Sequence, residues 1–274
     1  MDSVEKLVVA VDAAFVETGR GLSGWRDPQP DRVPLDEEYS RVTNPQRWRI
    51  LAARSEAWFK ALAAAGLAEV EAEAEVAWQV PPRFPVAHTI RAVPRAPGAI
   101  PLVVAMTDFE GVEWPAVALG AGDPAAVLEV VPDCACDACD SGSQDALDEL
   151  DEYMICVVTG TYRKLWRGSQ EITVYSDDRI GYSGFHRRRM RLGRCIGGRF
   201  TASPAALTND YFTTANNSTY QLKLRRLNNF CKAIANKLDR GDSRRKRRKK
   251  IEKILARPKR WNQIHGSSWL DGNS

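Results

Sequence analysis

The chain has 274 residues, 44% hydrophobic and 8% aromatic, which is enough apolar material for one large core or two small ones. Its longest clean apolar runs, such as Ile100–Met106, fall far short of the roughly 20 residues that cross a bilayer, and the charged start Met1-Asp-Ser-Val-Glu-Lys6 does not resemble a secretory leader. The net charge of +4 conceals two opposed halves: residues 1–155 carry 12 Lys/Arg against 27 Asp/Glu, a net of −15, and residues 156–274 carry 27 against 8, a net of +19. We therefore expect a cytoplasmic protein with no membrane partner and reduced cysteines, in which some of the basic surface is neutralised by the acidic half. Nothing in the sequence bears on oligomeric state.

In chain order, Leu7, Val8, Val11, Ala14 and Phe15 recur at helical spacing and predict a helix over 2–18, stopped by Gly19. A Gly-, Pro- and Asp-rich loop with Trp25 at its middle leads to Thr43-Asn44-Pro45, a helix start with a capping residue before proline. That helix should run to about Ala65, bury Trp48, Leu51, Trp58, Phe59 and Leu62, and close at Gly66. Strands are expected at Val86–Val93, Leu102–Met106, Trp114–Leu119 and Ala126–Val131, linked too closely for parallel crossovers. A helix over Ser143–Val158 and strands at Glu171–Tyr175 and Ile180–Phe185 follow. The predicted class is α+β, with N-terminal helices packed on a mostly antiparallel sheet of about six strands.

After Phe185 the composition turns basic and polar. Leu224, Leu227, Cys231, Ile234 and Leu238 predict one amphipathic helix over Tyr220–Leu238, while residues 189–219 and 241–250 are expected to be poorly ordered. A short helix at Ile251–Ala256 and a Trp-rich tail complete the chain. This divides it into a domain over 1–188, a basic insert over 189–250, and a returning segment over 251–274.

Three of the six cysteines fall in Asp133-Cys134-Ala-Cys136-Asp137-Ala-Cys139-Asp140, between a strand and a helix. Cys134, Cys136 and Cys139 supply three thiolates for zinc; a fourth ligand would be Cys156, His88, His186, His265 or one of Asp133, Asp137 and Asp140. A redox reading places Cys136-Asp-Ala-Cys139 at a helix start, where the dipole favours thiolate, but the surrounding aspartates oppose it. The plainest reading is a tight turn of small buried cysteines capped by aspartate. Gly120-Ala-Gly122 and Asp177-Asp178 read as turns rather than as a dinucleotide fingerprint or a catalytic pair, and no nucleophile elbow or Walker loop occurs.

Arg244, Arg245, Lys246, Arg247, Arg248, Lys249 and Lys250 form a run of seven cations that suits nucleic acid, an acidic partner, or the acidic half of the same chain. The leading expectation is a non-catalytic binding or interaction protein, the alternative a zinc- or thiol-dependent enzyme using the Cys134–Cys139 turn.

Leu35-Asp-Glu-Glu-Tyr39-Ser-Arg-Val-Thr43, Leu119-Gly-Ala-Gly-Asp-Pro124 and Pro132–Asp140 together resemble an uncharacterised actinobacterial family, the domain of unknown function numbered 6226. The resemblance covers about residues 1–188 and resumes at Ile251–Pro258 and Trp261–Leu270. It implies a shared domain and no mechanism, and it leaves the basic insert as a departure from the family.

Overall fold

A computed structural model of the chain describes residues 3–107, 115–176, 179–183 and 242–270, without the side chains of 242–247. Residues 1–183 and 261–274 form one compact unit and residues 184–260 another, where composition places the divisions at 188 and 250. No helix among the described residues is long and apolar enough to cross a membrane.

The first unit opens with α1 (Ser3–Thr18), which buries Leu7 and Val11 against α2 (Arg49–Ala64). α2 is preceded by a 3-10 turn over Pro45–Trp48 and followed by Gly66 at φ +69, a left-handed value that glycine adopts without strain. The predicted cap is not made. Asn44 is itself left-handed and its side chain caps no backbone amide, while Thr43 is drawn away to Asp137. The buried guanidinium of Arg54 on α2 spans the three helices, donating to Asp12 of α1 at 2.8 Å and to Asp151 of α3 (Ser143–Val158) at 2.5 and 3.0 Å. Trp58 Nε1 donates to the same Asp151 at 2.6 Å, so the buried cation is paired rather than stranded.

The α+β class and antiparallel order are as expected, with the strands divided between two sheets. One sheet is a meander of β1 (Ala68–Ala72), β2 (His88–Pro94), β3 (Leu102–Met106), β4 (Val117–Ala121) and β5 (Ala126–Val131), in that order. β3 and β4 are buried throughout, on two different faces. Leu102, Val104, Met106, Val117 and Leu119 join the main core with α1, α2 and α3, whereas Ala105 and Ala118 face a smaller cluster with Phe84 and Trp78. Gly120 is small for this reason: a Cβ there would stand 2.6 Å from Trp78 Cζ3.

The other sheet has the order β8 (Ile180–Ser183), β7 (Gln170–Val174), β6 (Arg163–Arg167) and β9 (Asn262–His265). β6 and β7 turn through Gly168 and Ser169, with Gly168 at φ +58, as a two-residue hairpin requires. β7 and β8 pair antiparallel; Asp177 and Asp178, read as a turn, lie outside the described residues. Behind β9, Trp269 is buried and its amide bonds Val158 O at 2.9 Å, tying the tail to the end of α3.

Of the second unit, α4 (Asp242–Ala256) is described. It begins nine residues before the helix expected at Ile251 and takes in the cationic run that was expected to be poorly ordered. Lysine and arginine are good helix formers, and Arg248 pairs with Glu252 one turn on at 3.2 Å. The helix expected over 220–238 lies outside the described residues, as do residues 189–219.

Candidate metal centre

The cysteine turn follows β5 directly and precedes α3, with a 3-10 turn over Asp137–Cys139 and then Asp140, Ser141 and Gly142. The sulfur atoms of Cys134, Cys136 and Cys139 all lie within 4.8 Å of one another, and all three are free thiols. Three bonds of about 2.3 Å to a shared ion would bring the sulfurs to about 3.8 Å, a change that small side-chain rotations supply. Cys136 is buried and forms the floor; Cys134 and Cys139 reach solvent.

The aspartates between the cysteines hold the turn in place. Asp137 accepts from Arg41 Nε at 2.6 Å and from Thr43 N and Oγ1 at 2.7 Å each, while its own amide bonds Arg41 O at 2.8 Å. Gln29 Nε2 donates to Asp137 O at 2.9 Å. Asp140, whose side chain is fully buried, accepts from Trp25 Nε1 at 2.9 Å and Gly142 N at 2.9 Å, and pairs with Arg47 at 2.8 Å. The Arg47 guanidinium stands over the rings of Trp25 and Trp48, at 5.0 and 5.5 Å from their centres. Gly142 is required where Trp25–Asp27 crosses, since a Cβ there would meet Asp27 N at 2.7 Å.

A second anchor lies one step out. Glu38, in a 3-10 turn over Asp36–Ser40, receives a fork from Arg32 at 2.6 and 2.8 Å and the Leu35 amide at 2.7 Å, and also pairs with Arg41 at 3.4 Å. Arg32 holds its carboxyl well below the ordinary range, at about 2. Against the cost of its own burial, Asp137 is likewise held down, by Arg41 and Thr43. The stretches Leu35–Thr43 and Pro132–Asp140, distant in sequence, thus meet as one device through Arg41 and Thr43.

The thiols behave differently. Partial burial pushes Cys134 up, helped by Cys136; burial also pushes up Cys139, helped by Cys134 and Asp133. These are not the depressed thiolates that a redox pair needs, and the helix start lies at Ser143, past the cysteines, so its dipole is not applied at Cys139. A metal cation would reverse the balance, because coordination displaces the thiol proton.

The expected fourth ligands are placed elsewhere. Cys156 is buried in α3, donates to Tyr153 O at 3.1 Å, and is pushed up to about 12 by burial. Asp137 and Asp140 are committed as described, and Asp133 pairs with Arg83. His88 sits on β2 beside Glu73 at 3.1 Å, and His265 belongs to β9. His186 lies outside the described residues. Among the described residues, then, the cluster has three members.

Of the seven cations, Arg248, Lys249 and Lys250 are exposed on α4; Arg244, Arg245, Lys246 and Arg247 share the helix, but their side chains lie outside the described residues. Sequence reading missed the holders Trp25, Gln29, Arg41 and Arg47. The only signal for any of them was the family-like stretch ending at Thr43, which contains Arg41.

Searches among curated proteins and among solved structures found no match. A family model matches residues 11–210, running past residue 188, where the resemblance was expected to break off. The match spans most of the chain, the cysteine turn and both anchoring stretches included, and the protein belongs to this family, DUF6226, a family of unknown function.

Proposed function

We propose that this protein is a metal-binding domain whose Cys134, Cys136 and Cys139 thiolates hold one zinc ion. What carries the reading is the convergence of three unpaired sulfurs within 4.8 Å on a turn that Asp137 and Asp140 fix from beneath. Zinc suits an all-sulfur site at tetrahedral spacing, and a rigid frame spares the ion the cost of ordering the loop. We read the domain as a binding module, because the three aspartates nearest the sulfurs are each engaged in ion pairs rather than poised for proton transfer.

The enzyme alternative draws on Glu149, a half-buried carboxylate on α3. Burial and the neighbouring Glu129 push it up, with Asp133 adding to the effect. Such a group suits general acid–base work.

Elemental analysis of protein purified without chelator tests the zinc reading. About one zinc per chain is expected in wild type and less than about 0.2 in Cys136→Ser, since a zinc held by protein thiolates binds stoichiometrically. Wild type at the lower level would end it.

For the second unit we propose contact with nucleic acid through α4. Seven consecutive cations on a helix fall within about 10 Å of its length, a charge spacing that suits a phosphate backbone. Affinity for a duplex should fall by orders of magnitude between about 50 and 200 mM salt and vanish when Arg244, Arg245, Lys246, Arg247 and Arg248 are replaced by Ser. Binding only to acidic protein, or none at low salt, would point to an acidic partner or to the chain's own acidic half.

A further inference from the structure

Resting on the zinc reading, we propose that the fourth coordination position at Cys134, Cys136 and Cys139 is open and takes an exogenous thiol, bound as thiolate. Among the described residues the cluster itself holds three cysteines and no fourth donor, and the candidate carboxylates around it are held in other bonds: Asp137 with Arg41 and Thr43, Asp140 with Trp25 and Arg47, Asp133 with Arg83, while Cys156 bonds a backbone carbonyl of its own helix and His88 stands beside Glu73. Access is from solvent, since Cys134 and Cys139 are exposed while Cys136 closes the floor. Three protein ligands plus one position for water or substrate is the arrangement of a reactive zinc rather than of a structural one.

The donor set also selects the ligand. Three thiolates outweigh the charge of a dication, so the ion is electron-rich and a poor acidifier of water. A soft sulfur donor suits it better than oxygen. Binding exchanges one bond for another: the zinc–oxygen bond to water breaks, a zinc–sulfur bond forms, and the thiol proton passes to solvent. Arg83, held against Asp133, the residue before Cys134, adds a positive charge on this side of the turn.

Full-length protein loaded with cobalt in place of zinc gives the test, with 2-mercaptoethanol as the probe and azide as a hard-donor control. The sulfur-to-cobalt charge-transfer absorption should rise saturably by about one third, as three sulfurs become four, and azide should not reproduce the rise. Cys195→Ser, Cys231→Ser and His186→Ala should each leave the starting spectrum unchanged. Cobalt bound with a spectrum that ignores the thiol, or altered by any one of those three variants, shows a protein fourth ligand and overturns the proposal while the metal reading stands. No cobalt binding overturns both.

Discussion

At the scale of single residues, Asp140 is the side chain on which the cysteine turn depends most. Its carboxylate is wholly buried and faces Arg47, so Asp140→Ala leaves that guanidinium, itself packed on the Trp25 and Trp48 rings, without its closest counter-charge. We expect a loss of about 3–5 kcal/mol in denaturant unfolding, the usual cost of breaking a buried pair from one side. Asp137→Asn is gentler, since the amide keeps the shape but loses the charge that meets Arg41. It should weaken zinc about 10- to 100-fold in a chelator competition, as loss of a support behind a metal ligand does. Glu149 and Glu38 carry opposite pH signatures. Glu149 is raised above 4.5, so the native state favours its protonated form and loses that advantage as pH rises through the folded value. Glu149→Gln should therefore be more stable than wild type at pH 7, with the gap closing below about pH 4.5. Glu38 is lowered to about 2, so its contribution is complete above 4.5 and fades as pH falls toward 2. Glu38→Gln should be less stable at pH 7 and approach wild type in acid, read by unfolding midpoints across that range. The sequence made the cysteines legible because their spacing is local. It did not name what Asp137 and Asp140 bond, because Arg41, Thr43, Trp25 and Arg47 lie about a hundred residues away.

The elements show where local pattern suffices and where it fails. α1, α2 and α3 were readable because each repeats apolar residues at helical spacing, and β3 because it is apolar without interruption. β1, β6 and β9 were not. β1 reads Ala-Glu-Val-Glu-Ala, a helix-forming composition, and becomes a strand only by pairing with β2 as a sheet edge, where Glu71 meets Arg91. β6 buries Leu165 among charged neighbours, and β9 offers Ile264 alone to a partner about a hundred residues away. Close packing also hides in glycines. Gly120→Ala drives a methyl into Trp78 and should cost about 1–3 kcal/mol; adding Trp78→Leu should recover part of the loss, a coupling that a double-mutant cycle measures.

For the whole molecule, the charge asymmetry visible in composition has a partial structural counterpart. Acidic residues gather around the α3 and cysteine region, and cations line α4. The family match covers residues 11–210, so the cysteine turn and the two stretches that clamp it belong to the shared domain, while α4 lies beyond the match. Metal binding is accordingly what we propose for the part of this chain that the family match covers, and nucleic-acid contact what we propose for its basic segment. The central claim is that three cysteines share one metal. X-ray absorption at the zinc edge, on protein purified without chelator, tests it most directly. The account predicts three sulfurs at about 2.3 Å and a fourth donor that is oxygen until a thiol is added. A shell of nitrogen and oxygen alone, or no zinc to absorb, would contradict it.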